Sequence, residues 1–166
     1  MLEYLSNPEY VHVLLNPLPV YGLAVGVLGL VVALFTKARA ARVTALVIIF
    51  VSALSAWPVY EYGQKSYDRV LAMADSDGGK WLKEHMDRAE KLIYAFYVLA
   101  ALAAAGLAAE RFAPRAAVPL TLATLLLACG TLGAGGYIAQ AGGRVRHREF
   151  RYAPAPEHVD EQEHEH

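Results

Sequence analysis

Three of the six histidines in this 166-residue chain lie next to long apolar runs, and their imidazoles are candidates to bind a metal. His12 precedes the first run, His85 precedes the third, and His147 follows the fourth within "GGRVRHREFRY". A neutral imidazole binds a transition metal or haem iron through one ring nitrogen. We therefore take these three histidines as candidate ligands of haem b or of another metal. No two of these histidines lie on one helix at a spacing typical of metal ligands. The alternative therefore stays open that they are interfacial histidines that only form hydrogen bonds.

Arginines surround the last of these histidines. Arg146 and Arg148 flank His147 directly, and Arg144 lies three residues before it. A guanidinium pairs well with carboxylates and phosphates, so these side chains are candidates to bind haem propionates or lipid headgroups. No catalytic residue is predicted, because the sequence contains no Ser/His/Asp order, nucleotide-binding loop or metalloprotease motif. The pattern favours a non-enzymatic protein.

Four apolar runs must position these residues. The chain is 56% hydrophobic, and uncharged runs cover about 18–36, 43–60, 92–109 and 116–141, each long enough to cross a hydrocarbon core of about 30 Å. Lipid offers the backbone no hydrogen-bond partners, so such runs must be helical. The sequence predicts an all-α integral membrane four-helix domain over 1–152. The alternative, a soluble bundle, would have to bury four such runs in a short chain.

The connections predict two antiparallel hairpins, because the first and third links are short. The longer polar segment between helices two and three contains "SYDRVLAMA", whose Tyr67, Val70, Leu71 and Ala74 share one helical face. This pattern predicts a short amphipathic helix at the membrane surface. Further on, Glu84 and Arg88 form an i,i+4 pair typical of a helix that continues into the third span.

Small residues recur on two of the helices. Gly22, Gly26 and Gly29 form a stripe on helix one, and Gly135, Ala139 and Gly143 form another on helix four. Such stripes let membrane helices approach closely. A tight bundle and a smooth wall against a flat cofactor are both consistent with them.

Charge and cysteine content exclude several partners. Lys and Arg number 15 against 16 Asp and Glu, which gives no support to nucleic-acid binding. The single cysteine, Cys129, can form neither an internal disulfide nor a cysteine-based metal site. Residues 153–166, which contain His158, His164 and His166, have an acidic polar composition that predicts a disordered tail.

Four spans place all three candidate histidines on the face of the two termini. The first hairpin loop carries Lys37, Arg39 and Arg42, which predicts cytoplasmic short loops and termini on the periplasmic side. The arginines after helix four favour the opposite orientation. If the termini are periplasmic, this basic patch would need an anionic group to bind, such as anionic lipid, an acidic partner or a carboxylated cofactor.

Four segments resemble, in the same order, a group of uncharacterised bacterial four-helix membrane proteins. These are "HVLLNPLPVYGLAVGVLGL", "WPVYEYGQKSYDRV", "LKEHMDRAEKL" and "GGRVRHREF", which are similar to that group's "LLNHLP" opening, second-helix exit, His-Glu element and "GGxIRHPE" ending. The resemblance covers about 11–150. It implies a bundle in the bacterial inner membrane whose histidines gather at one face and bind haem or a metal near an electron-transfer chain, with His12, His85 and His147 in that role.

Two departures from that pattern leave a second interpretation open. The histidine of "NHLP" falls at Pro17 here, and Met86 replaces the glutamate after the third-helix histidine. If the missing histidine is a ligand in that group, this chain has remodelled the site or kept only the scaffold. It would then be an accessory subunit that packs against a larger respiratory or photosynthetic membrane complex. A transporter is disfavoured, because the spans lack the intramembrane charges of an ion path.

Overall fold

Four long helices form the part of the chain that the computed structural model describes, residues 5–156. Their bounds are α1 Pro8–Thr36, α2 Arg39–Ala72, α3 Ser76–Phe112 and α4 Pro114–Arg146. Each is long and apolar enough to cross a membrane. The predicted all-α four-helix membrane bundle is confirmed. The predicted tail, from residue 157 onwards and with it His158, His164 and His166, lies outside the described residues.

The helices extend well beyond the predicted apolar spans. The segment predicted as a short amphipathic helix between helices two and three is helical, but it forms the last turns of α2. Only residues 73–75 separate α2 from α3. Polarity alone does not end a helix. The break comes at Asp75, whose side chain caps α3 by accepting a hydrogen bond from the Gly78 amide at 2.6 Å.

Prolines interrupt the first two helices. Pro17 and Pro19 lie at a π-helical turn, Leu18–Gly22, that divides α1. α2 is interrupted at Ser55, where Pro58 lacks the amide that would donate to the carbonyl of Leu54. The amino-terminal part of α1 therefore packs against the second half of α2. This contact brings His12 against α2.

The two hairpins pack against each other through α2 and α3, and α3 packs most extensively on α4. The glycine stripe of α1 lies against α2. A Cβ at Gly29 would lie 3.1 Å from that of Ala45, and at Gly22 and Gly26 it would approach Ser52 and Ile49 more closely still. The predicted role of this stripe in close packing is confirmed. Fully buried apolar side chains fill the interior, namely Leu23, Leu30, Leu46, Ile49 and Leu99.

An ion-pair cluster joins the hairpins at the face of the short loops. Glu110, near the end of α3, is only 5% exposed. Its carboxylate accepts hydrogen bonds from Arg39 Nε at 3.1 Å and from Arg42 Nε, both at the start of α2. Arg39 Nη2 also donates to the Glu110 carbonyl at 2.6 Å. Part of the basic charge of the first loop is therefore used to fasten α2 to α3.

Candidate histidine site

His12 and His85 come together at the opposite face of the bundle. His12 lies near the start of α1, and His85 lies in α3, so each hairpin contributes one imidazole. The ring centroids are 6.3 Å apart and the ring planes are inclined by 80°. The structure thus brings together two of the three histidines that the sequence singled out.

Both rings form the same hydrogen bond to a helix backbone. His12 Nδ1 lies 2.8 Å from the carbonyl oxygen of Val59 in α2, and His85 Nδ1 lies 2.9 Å from that of Ile138 in α4. A carbonyl oxygen only accepts, so Nδ1 carries the hydrogen and donates in each case. The Nε2 atom of each neutral ring is then left with a lone pair that can bind a metal.

A glycine one helical turn after each accepting carbonyl makes room for the ring. Gly63 follows Val59 by four residues, and a Cβ there would lie 3.1 Å from His12 Nδ1 and Cε1. Gly142 follows Ile138 by four residues, and its Cβ would lie 3.0 Å from the same two atoms of His85. We call each carbonyl with its glycine a histidine seat. The two seats are built alike, one on the second helix of each hairpin.

A cavity of about 520 Å³ adjoins both rings. This volume lies within the ~300–1,000 Å³ typical of small-molecule and cofactor sites. Buried Ile93 and Phe96 line it inside the bundle, and the exposed side chains of Tyr10 and Arg146 line it at the surface. α4 contributes the small residues Gly135, Ala139 and Gly142 to the lining, together with the larger Ile138, Val145 and Arg146. Gly143 of the predicted small-residue stripe lies against Phe150.

Arg88 supports the seat of His85. Its side chain is 9% exposed and lies one turn beyond His85. Its Nε donates to Glu84 at 2.6 Å, and its Nη1 donates to the carbonyl of Tyr137, next to the Ile138 carbonyl that His85 uses, at 2.8 Å. The Glu84–Arg88 pair is visible in the sequence as an i,i+4 pair. Its contact with α4 is not, because no local pattern shows which helix lies beside α3.

His147 lies apart from this pair. It is exposed after the end of α4, where its Nδ1 lies 3.0 Å from the Glu149 carboxylate and its ring stacks on Phe150 with centroids 4.9 Å apart. The hydrogen bonds to Glu149 from its own backbone amide and from His147 lower the pKa of that carboxyl. Across residues 5–156 no group of three or more His, Cys, Asp or Glu side chains is placed to hold a metal ion.

The predicted propionate-binding arginines also separate. Arg144 stacks its guanidinium 4.4 Å from the Trp81 ring and donates to the Phe150 carbonyl. Arg148 donates to Asp75 at 2.8 Å. Arg146 alone of the three lines the cavity.

Asp75 is the partner of two arginines in the basic stretch after α4. Its carboxylate accepts hydrogen bonds from Arg148 and from Arg151 Nη1, the latter at 3.0 Å. Arg151 Nη2 also donates to the carbonyl of Val145 in the last turn of α4 at 2.9 Å. The bond from Arg151, followed by that from the Gly78 amide, lowers the pKa of Asp75 to about 2. These bonds form a clasp, Asp75 with Arg148 and Arg151, that ties the end of α4 to the start of α3.

Comparison with known proteins returns no match to a family model, to a curated protein or to a solved structure. The family resemblance seen in the sequence motifs therefore stays a prediction.

Proposed function

We propose that this chain is a membrane protein that binds haem b between His12 and His85 and supports electron transfer. The observation that carries the proposal is the spacing of two imidazoles that are held alike. The ring centroids of His12 and His85 are 6.3 Å apart. Each ring is held through Nδ1 by a backbone carbonyl, so the two Nε2 atoms are the ones that would hold the haem iron.

The donor set favours haem over a bare metal ion. A structural zinc site uses four protein ligands, whereas the described residues bring together two histidines and no third metal-binding side chain. Haem needs only one or two axial ligands from the protein. Bound haem would supply one-electron redox chemistry.

The chain's own residues would fix and shield such a group. The Val59 and Ile138 carbonyls hold the Nδ1 hydrogens, which fixes the orientation of both rings and leaves Nε2 as the ligand atom. Phe96 and Ile93 exclude water from the buried end of the cavity, and the small residues of α4 admit a flat ring. The cavity beside the two rings supports a haem site more than hydrogen bonding alone, which would not need it.

Absorption spectroscopy of the purified protein tests the proposal. The wild type should show a haem b Soret band after purification or after addition of haem. The His12→Ala and His85→Ala variants should each lose it or shift it, because each lacks one of the two imidazoles that would hold the iron. His147→Ala is the matched control, since that ring is exposed and paired with Glu149. A wild type that binds no haem would refute the proposal.

The orientation of the site is part of the proposal. The first hairpin loop supports a position of both termini, and of the histidine site, on the periplasmic side of the bacterial inner membrane. Five basic residues lie in the short loops, namely Lys37, Arg39, Arg42, Arg111 and Arg115. The other Lys and Arg residues are more numerous and lie towards the face of the histidine site, which supports a cytoplasmic position of that face. Fusions of alkaline phosphatase and of green fluorescent protein to the carboxyl terminus decide between them: phosphatase activity is expected, and fluorescence without it would place the site in the cytoplasm.

A second candidate function is that of an accessory subunit in a larger respiratory or photosynthetic membrane complex. It is favoured by the outer face of α4, where Gly130, Gly133 and Gly136 are exposed and have open space beside them. Such a face lets another helix approach closely. Pro17, which stands where the resembled group has a histidine, is exposed on α1. This departure from the group's pattern is compatible with an accessory role. Colourless protein that co-purifies with a large complex, and loses it in Gly133→Leu, would support this function over the first.

A further inference from the structure

Arg146 differs from the other arginines near the end of α4. Its exposed side chain lines the cavity that adjoins His12 and His85. Arg144 and Arg148 are occupied by Trp81 and Asp75. Within residues 5–156, the Arg146 side chain has no hydrogen bond, ion pair or ring contact. It borders the cavity and is not used to hold the fold.

The other charged group at this entrance is neutralised. Glu9 also lines the cavity, and Arg69 pairs with it at 2.9 Å. The remaining entrance residues include the uncharged polar side chains of Asn7 and Tyr10. The entrance therefore carries a net positive charge beside Arg146, while the interior is apolar. An amphiphilic ligand would place its anionic group at this end.

We propose that Arg146 binds a carboxylate of the ligand in this cavity and so fixes which way round the ligand lies. This inference rests on the proposed haem site and deepens it: the propionates would lie at Arg146, at the membrane surface, and the apolar edge of the ring would lie among residues such as Phe96. The prediction that three arginines serve this role is thereby narrowed to one. Arg144 and Arg148 hold the protein's own segments together.

Titration with haem b and with its dimethyl ester tests this directly, because the ester lacks the carboxylates. The proteins are the apo wild type, Arg146→Gln and the matched control Arg148→Gln, all in an uncharged detergent. The wild type should bind haem b about tenfold more tightly than the ester, since a hydrogen-bonded charge contributes on that order. Arg146→Gln should bind both compounds about equally, and Arg148→Gln should behave as the wild type does. Arg146→Lys should keep most of the preference, which separates loss of charge from misfolding.

Three other outcomes are informative. A wild-type preference that Arg146→Gln retains in full would overturn the role of Arg146 and leave the haem site standing. A wild type that binds neither compound would overturn the proposed function and this inference with it. An anionic lipid headgroup is the other source of such an anion. If Arg146 holds a lipid phosphate instead, the wild type should not discriminate between haem and its ester in phosphatidylcholine nanodiscs, and Arg146→Gln should lose affinity for phosphatidylglycerol only, which overturns the inference.

Discussion

Gly142 gives the sharpest test of the histidine seats. A Cβ at this position would lie 3.0 Å from Nδ1 and Cε1 of His85, whereas ordinary contacts begin at 3.4 Å. The Gly142→Ala substitution therefore requires the ring to move by at least the difference, about 0.4 Å. The ring cannot move freely, because its Nδ1 is bound to the Ile138 carbonyl at 2.9 Å. Weakening that bond costs about 1–1.5 kcal/mol, so haem affinity should fall about five- to tenfold.

Gly143→Ala is the matched control. Its Cβ would meet only Phe150, at an ordinary 3.6 Å. Both substitutions raise helix propensity by about the same amount, roughly 1 kcal/mol, so that effect cancels in the comparison. Haem titration followed at the Soret band measures both affinities, with circular dichroism to confirm that the variants fold. If Gly142→Ala binds haem as tightly as Gly143→Ala does, the reasoning that the glycine fixes the ring is refuted.

The remaining predictions concern the ion pairs at the two faces. Glu110→Gln should lower the free energy of unfolding by about 2–3 kcal/mol, which is less than the ~3–5 kcal/mol for a fully buried pair because Arg39 is exposed. Denaturation in mixed micelles measures this loss, with Glu149→Gln as the exposed control. Equal stability of the two variants would contradict the prediction. Asp75 has a pKa of about 2 in the folded protein, below its ordinary 3.8, so its stabilisation is present above pH 4 and is lost as the pH falls from about 4 through 2. Thermal unfolding of the wild type and Asp75→Asn should therefore differ at pH 6 and converge near pH 2, and a gap that is independent of pH would count against the clasp.

Much of the fold follows from the sequence because the membrane restricts the options. Uncharged runs of about 18 or more residues in lipid have to be helices, and short links have to form hairpins. The helix that leads into the third span followed from the i,i+4 pair Glu84–Arg88. The continuation of α2 to Ala72 did not follow, because its last turns are polar and lie outside the apolar runs, where hydropathy carries no information. The cap at Asp75 is local, but the bond from Arg151 to the same carboxylate joins residues far apart in the sequence.

The candidate site was only partly predictable for a related reason. Counting spans placed His12, His85 and His147 on one membrane face, but residues on the same face are not necessarily in contact. Which imidazoles meet depends on the break at Pro17 and Pro19, which sets where the first turns of α1 pack, and on the end of α4, after which the chain turns away from the cavity. Seats built from a carbonyl and a glycine one turn later are spread over two helices. The pattern becomes recognisable only when the paired helices are known.

The visible absorption spectrum of the purified protein, compared among wild type, His12→Ala, His85→Ala and His147→Ala, tests the central claim most directly. We predict a haem b Soret band in the wild type and in His147→Ala, and its loss or displacement in both other variants. A wild type that binds no added haem, or a band that depends on His147 and survives the loss of His12 and His85, would contradict the account.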